Sequence, residues 1–462
     1  MSDLPEFSAA TNFSNPNLRL LCLSNGHGED IIAVRILQEL QQRSPTLNIE
    51  VLPLVGEGRA YTQLGIPIIG SVKTMPSGGF VYMDGRQFVR DLQGGLLQLT
   101  LAQLRAIRSW VSRPQSETGY EQAILAVGDI VPLLFAYLSG ANYAFVGTAK
   151  SEYYVRDEVS ILPRRSLFER LESWSGSVYL PWERWLMSHP RCKAVFPRDS
   201  LTAQILQKWS IPAFDLGNPM MDRLEPVDST ELAAAQTEIT ILLLPGSRPP
   251  EAYANWEQIL IAVKQLIVTL SDRQLLFLGA IAPGLNLDPL SQSLVNAGFQ
   301  NVDSSNSPER VGQEHLSKWY VQQADSIQNP KSKIQNWKAL TFNHENASLI
   351  LSQHAYSNYL HKAEIAIAMA GTATEQFVGL GKPAITFPGK GPQFTYTFAE
   401  AQSRLLGPSI VLVENPNQVA EAMQSLLSDF NRLQLIAENG VKRMGKLGAA
   451  ERIAQCLIEK LI

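Results

Sequence analysis

Cysteine is scarce: three residues in 462 (Cys22, Cys192 and Cys456), far apart, with no CxxC pair and no Cys/His cluster. That gives no disulfide framework and no zinc-ligand spacing, and it fits a reducing cytoplasm. Charge is sparse as well. Only 18% of residues are charged, and 39 basic residues against 43 acidic ones leave a formal net charge of −4. A chain built wholly to bind nucleic acid would be basic, so nucleic acid is not an expected partner. No GxxxxGK[ST] occurs, which removes P-loop chemistry. No DxD pair occurs either, so a carboxylate-held metal is not suggested; the expectation is that the protein uses no cofactor. Residues 1–17 lack the basic start and apolar run of a signal peptide and read as a polar tail. One long weakly charged stretch, from Glu121 to Lys150, has Asp129 as its only internal charge. A membrane-spanning helix needs ~20 mostly apolar residues. Here Gly128, Asp129, Pro132 and Gly140 cut the run into strand, turn, helix and strand. The expectation is a cytoplasmic protein, soluble or peripheral at the inner face of a membrane.

What is present is a repeated alternation of short apolar runs and amphipathic segments. Strands are expected at 18–23, 48–55, 67–69, 123–127, 143–146 and from 194. Helices are expected at 31–40, 88–111 and 200–209. After a linker around 226–238 the alternation restarts. Strands are expected at 239–244, 274–278, 363–369, 384–387 and 410–413, and helices at 256–270, 374–380 and 416–427. Strand–helix alternation of this kind gives parallel, doubly wound sheets. The reading is therefore two Rossmann-like α/β domains, 18–225 and 232–445. The second carries a polar insertion at 301–342, read as a surface loop because nothing apolar anchors it. The final helix, 449–462, has no strand after it.

Open α/β sheets bind ligands beyond the carboxyl ends of their strands, and four loops there carry suitable residues. The first is Asn25-Gly26-His27-Gly28-Glu29, where glycines permit close approach and a histidine sits in a turn. It lacks the GxGxxG spacing of a dinucleotide site. The second is Gly128-Asp129, whose carboxylate follows an apolar strand; it suits proton transfer, and equally a helix N-cap. The third holds Gly246, Ser247, Arg248 and Glu251. A guanidinium there matches phosphate oxygens. The fourth is Gly371-Thr372-Ala373-Thr374-Glu375-Gln376, a glycine, two hydroxyls and a helix start that together offer donors to phosphates and hydroxyls. A neighbouring loop with Gln393 could cover the same ligand.

Leu-Leu-Leu-Pro-Gly-Ser-Arg at 242–248 with Glu251, and Ala-Gly-Thr-Ala-Thr at 370–374, resemble motifs of the lipid-A-disaccharide synthase family of GT-B glycosyltransferases. Val-Gly-Glu-Gly at 55–58 and Leu-Gly-Asn-Pro-Met-Met-Asp at 216–222 support it. A weaker likeness extends to the MurG and monogalactosyldiacylglycerol synthase transferases, whose first loop also carries a histidine. The resemblance implies two Rossmann-like domains facing a cleft, with the last helix crossing back to the first domain. It implies inverting, metal-independent transfer of a hexosyl group from a UDP-sugar to a lipid-linked acceptor. It places Gly246, Ser247, Arg248, Glu251, Gly371–Gln376 and Gln393 at the donor. Asn25, Gly26, Gly28 and Glu29 fall on the acceptor side, with His27 or Asp129 as base. Where the synthase motif has a ribose-binding Glu, this chain has Gln376, an amide that can still bond hydroxyls.

Between Tyr153 and Arg191, the residues Arg156, Arg164, Arg165, Arg170, Trp174, Tyr179, Trp182, Trp185 and Met187 combine cations with aromatics. That mixture suits an anionic lipid surface, so a membrane is a candidate partner. Two other functions fit the same loops: a UDP-sugar 2-epimerase and a catalytically silent sugar- or lipid-binding protein.

Overall fold

The computed structural model describes residues 18–26, 28–72, 96–112, 121–162, 174–225, 238–302 and 339–461. His27 and the expected helical residues 88–95 lie outside them, as do Arg164, Arg165 and Arg170. The chain forms two compact units. The first runs to Asp222 and resumes at Leu447; the second is Arg223–Lys446.

In the first unit, strands β1 (Leu18–Ser24), β2 (Asn48–Pro53), β3 (Glu121–Gly128), β4 (Asn142–Gly147) and β5 (Cys192–Pro197) form an all-parallel sheet. Its order is β2-β1-β3-β4-β5. Helices α1 (Gly28–Arg43), α2 (Leu96–Val111), α3 (Ile130–Ser139), α4 (Pro181–Met187) and α5 (Ser200–Gln207) connect and cover it. A parallel sheet is buried on both faces, so its strands read as continuous apolar runs. β1 shows the two-residue period underneath: Leu18, Leu20 and Cys22 enter one core, Leu21 and Leu23 the other. Arg19 is buried within that run. Its guanidinium pairs with Glu50 at 2.5 Å and lies over the Trp110 ring, and Trp110 Nε1 donates to the same carboxylate. A buried charge persists only with such partners. The strand expected at 67–69 is a single bridge, Val51 to Ile68.

The C-terminal helix, Ala449–Lys460, belongs to this first unit. Its Ile453, Ala454 and Leu457 share a core with Ile32, Ile36 and Leu40 of α1. Asp222 fixes its start. Oδ1 accepts from Gly448 N (2.6 Å) and Ala449 N (3.0 Å), and Oδ2 from Ala450 N (2.7 Å). One carboxylate thus satisfies amides that the helix cannot satisfy itself and places negative charge at the positive end of its dipole.

The second unit holds strands β6 (Glu238–Leu244), β7 (Gln274–Ala280), β8 (Gln300–Asn301), β9 (Leu340–His344), β10 (Ala347–Ser352), β11 (Ile365–Ala368), β12 (Ala384–Thr386) and β13 (Ile410–Leu412). The order is β13-β12-β11-β6-β7-β10-β9-β8. Helices α6 (Glu251–Thr269), α7 (Leu287–Asn296), α8 (Tyr356–Lys362), α9 (Thr372–Gly379), α10 (Tyr396–Leu406), α11 (Val419–Leu427) and α12 (Phe430–Met444) pack around it, with Trp256 fully buried in the core. This sheet is mixed rather than parallel throughout: β9 runs antiparallel to both β10 and β8. Leu340, Thr341 and Phe342, expected at the end of the polar insertion, are strand residues, and Phe342 is fully buried. The hairpin turns at Glu345, whose φ of 51° is left-handed.

Replacing Asp222 with Ala should cost about 1–2 kcal/mol, the usual loss of an N-cap, and should raise amide exchange at Ile453–Leu457. Unchanged exchange there would show that the helix is held by its apolar face alone.

Candidate functional site

The orders of both sheets contain a reversal. In the first, β1 is flanked by β2 and β3; in the second, β6 is flanked by β7 and β11. The loops after β1 and β3, and those after β6 and β11, therefore lie at switch points, where chain connections diverge and leave a crevice. All four loops singled out in the sequence are at these two places.

In the second unit, glycine decides how closely the loops approach. Gly246 has φ +97°, and a Cβ added there would stand 3.2 Å from the Met369 carbonyl. Asn255, 2% exposed, donates from Nδ2 to the Pro245 carbonyl at 3.1 Å. A Cβ on Gly389 would come within 2.7 Å of Asn255 Oδ1, which has no hydrogen-bond partner among the described residues. Gln402, 3% exposed, donates to the carbonyls of Ala370 (3.1 Å) and Gly371 (3.3 Å). These contacts draw together the loops after β6, β11 and β12.

The expected donor residues divide into two groups. Glu251, Thr374 and Gln376 are built into the fold. Glu251 is buried at the start of α6. Its Oε1 accepts from Phe394 N at 2.6 Å, and both its oxygens lie within reach of Gln393 N, at 3.1 and 3.2 Å. Thr374 Oγ1 donates to the Ala370 carbonyl (2.6 Å) and is fully buried. Gln376 Oε1 accepts from the Tyr356 hydroxyl (2.6 Å). Ser247, Arg248, Thr372 and Gln393 are exposed, with Gly371, Ala373 and Glu375 partly so. The N-cap of α9 is Gly371, without a side-chain cap. Thr374 N and Glu375 N turn back to the Gly371 carbonyl. A helix start of this kind presents amides and the positive end of its dipole to an anion.

In the first unit, Gly26 has φ +103°, and a Cβ there would be 2.3 Å from the Val55 carbonyl; Gly128, φ +138°, packs on Asn25 in the same way. Asp129 caps α3 by accepting from Val131 N at 2.8 Å. The loop after β4 joins them: Thr148 N donates to the Gly128 carbonyl (3.1 Å) and Thr148 Oγ1 lies 3.4 Å from Glu29 Oε1. Beneath, the Tyr61 hydroxyl donates to Ser24, whose own hydroxyl donates to Asp30 (2.7 and 2.6 Å). Glu29 is partly buried at the first turn of α1. Desolvation chiefly, with the nearby Asp129 charge adding to it, pushes its carboxyl up to about 7. Gly28 has open space around it.

The cationic-aromatic segment also divides. Tyr179 and Met187 are core residues. Arg156 is bound internally to Glu152 (2.9 Å) and the Gly176 carbonyl (2.7 Å). Trp174, Trp182 and Trp185 are exposed, by 82, 54 and 53%. Among the described residues no helix is long and apolar enough to cross a membrane.

Sequence reasoning missed Asn255, Gln402 and Tyr356. A signal existed for two of them. Asn255 falls between Ala252 and Ile259 on the buried stripe of α6, and Gln402 between Ala399 and Leu405 on that of α10. A polar residue on an apolar stripe needs a buried partner.

No family model and no curated protein matches the chain. Solved structures do. The calicheamicin glycosyltransferase CalG4 aligns with TM-score 0.56 at 13% identity, over 96% of this chain and 100% of its own. MurG of Acinetobacter baumannii aligns with TM-score 0.52 at 14%, over 96% and 99%. The Neisseria meningitidis UDP-GlcNAc 2-epimerase bound to UDP-GlcNAc aligns with TM-score 0.50 at 14%, over 96% and 100%. The chain thus has the two-domain α/β fold of the GT-B proteins.

Glu251→Ala should leave Gln393 N and Phe394 N without acceptors, at about 1–3 kcal/mol for a buried donor. Amide exchange at those two residues should accelerate, with β6 and β7 unaffected. If exchange there is unaltered, Glu251 does not hold the loop.

Proposed function

We propose that the chain is an inverting, metal-independent hexosyltransferase of the lipid-A-disaccharide synthase type, using a UDP-sugar as donor and a lipid-linked hydroxyl as acceptor. The observation that carries this is the loop assembly at the switch point of the second unit. Three glycine-gated loops converge there on the uncapped start of α9, and Arg248 stands exposed on the first of them. In this reading Arg248 and the amides of Thr372 and Ala373 receive the diphosphate. Ser247 and Gln393, both exposed, and Glu375, partly so, face the sugar or nucleoside hydroxyls in this reading. Glu251, Thr374 and Gln376 act at one remove, shaping the loops.

The chemistry follows from charge. As the acceptor oxygen bonds to the anomeric carbon, the bond to the diphosphate oxygen breaks and its electron pair leaves with UDP. Donors fixed in advance at the place where charge develops contribute about 2.7–4 kcal/mol each. The first unit supplies the acceptor side, Asn25, Gly26, His27, Gly28, Glu29 and Asp129, and with it the base.

A UDP-sugar 2-epimerase is the competing reading, since the N. meningitidis structure of this fold is such an enzyme bound to UDP-GlcNAc. The exposed Trp174, Trp182 and Trp185 favour transfer to a lipid-linked acceptor. Amphipathic rings of this kind rest at a membrane interface, and an epimerase has no use for one.

UDP-N-acetylglucosamine should stabilise the protein, by about 2.7 kcal/mol at a hundred times its dissociation constant. Arg248→Ala should weaken UDP binding roughly ten- to a hundredfold, the loss of a charge-assisted bond of about 1.5–3 kcal/mol. Incubation with the donor alone should yield no epimer; epimer formation without acceptor would sink the transferase reading. The triple variant Trp174→Ala, Trp182→Ala, Trp185→Ala should lose co-sedimentation with phosphatidylglycerol vesicles while keeping UDP binding. Equal sedimentation of both proteins would remove the membrane from this account.

A further inference from the structure

We propose that Glu29 is the group that takes the proton from the acceptor hydroxyl. The assignment rests on the transfer reading and goes beyond it by selecting one carboxylate among those gathered in the first unit. Three are close in the fold and differ in what already occupies them. Asp30 is buried and accepts the Ser24 hydroxyl, beneath the loop. Asp129 accepts Val131 N at 2.8 Å as the cap of α3, so one of its oxygens is already committed to the fold. Glu29 has no cation beside it among the described residues, and its carboxylate accepts from its own amide in the first turn of α1. Its contact with another side chain, Thr148 Oγ1, is 3.4 Å, long for a hydroxyl bond and open to replacement by a substrate oxygen.

The surroundings of Glu29 suit that replacement. It stands where the loops after β1, β3 and β4 meet, at the switch point of this sheet. Asn25 Oδ1 is buried beside Gly128 and has no hydrogen-bond partner among the described residues. It is a second acceptor in the same corner, suited to a neighbouring hydroxyl of a carbohydrate or glycerol-like acceptor. Among the described residues, the charges acting on Glu29 are Asp129, from the loop after β3, and Asp30 on its own helix; both oppose its ionisation. A base whose affinity for protons sits near ambient pH combines availability with driving force, and burial puts Glu29 there. The step balances without a co-reactant. The acceptor O–H bond breaks and its proton moves to a Glu29 oxygen. The acceptor oxygen bonds to the anomeric carbon, and UDP departs with the electron pair. Glu29 then returns the proton to water.

The test uses the full chain with UDP-N-acetylglucosamine and two lipid-like alcohols, diacylglycerol and octyl glucoside, scoring glycoside formed from pH 5 to 9. Wild-type kcat should rise through an apparent pKa near 7. Glu29→Gln should lower kcat at least a hundredfold, abolish that rise and leave UDP affinity within twofold, which also shows that the variant is folded. Glu29→Asp should retain a reduced, still pH-dependent rate. Turnover of Glu29→Gln within threefold of wild type, with the rise intact, would overturn the assignment. A fall in rate at all pH values alike, with the rise retained, would mean that Glu29 only supports the loop, and would overturn it too. A wild type that forms no glycoside with either alcohol would overturn the transfer reading and this step with it. That outcome is recognised before any variant is made.

Discussion

The structure depends on how closely loop backbone can approach its neighbours at the carboxyl ends of parallel strands. At Gly26 a Cβ would overlap the Val55 carbonyl, at Gly128 it would press on Asn25, at Gly389 on Asn255, and at Gly391 on Glu251. Two of these positions, Gly26 and Gly128, also have left-handed φ values, where side chains carry a conformational cost. Removing the side chain lets neighbouring loops close into a surface of amides and carbonyls. Such glycines follow β1 and end β3 in the first sheet, and follow β6 and β12 in the second. Two separate units of one chain thus solve the same geometric problem in the same way.

The two surfaces differ in charge. The one in the second unit is made of helix-start amides, hydroxyls and Arg248, and it complements an anion. The one in the first unit holds Glu29, Asp129 and Asn25, and it repels an anion while accepting hydrogen bonds. A sugar nucleotide and a hydroxyl-bearing acceptor have this pair of opposite requirements. On the transferase reading proposed above, electrostatic complementarity sorts the two substrates before any detailed recognition takes place.

Much of this was legible in the residues. Buried strands such as Leu18–Ser24 and Glu238–Leu244 announce themselves as apolar runs, each followed two residues later by a glycine, Gly26 and Gly246. What escaped has physical causes. β9 lies just past a long polar stretch, and of its five residues only Phe342 is buried, so Leu340 to Phe342 carry no continuous run. Glu251 reads as a ligand contact because a carboxylate beside a Pro-Gly-Ser-Arg turn looks exposed. Only the fold shows that Phe394 N, more than a hundred residues away, claims it. The proton affinity of Glu29 was equally invisible, since it comes from burial and from Asp129, both set by tertiary packing. Asp129, in contrast, serves as the helix cap that its position after an apolar strand suggested.

The clasp between Asp222 and the start of the last helix also bears on biosynthesis. The two partners are separated by 226 positions along the chain. A nascent first unit emerging from the ribosome lacks one layer over Ile32, Ile36 and Leu40 until all of the second unit has been translated. Over that interval its α1 surface stays open to chaperones and to aggregation. A circular permutation that joined the helix directly after Asp222 would let the first unit complete itself at once.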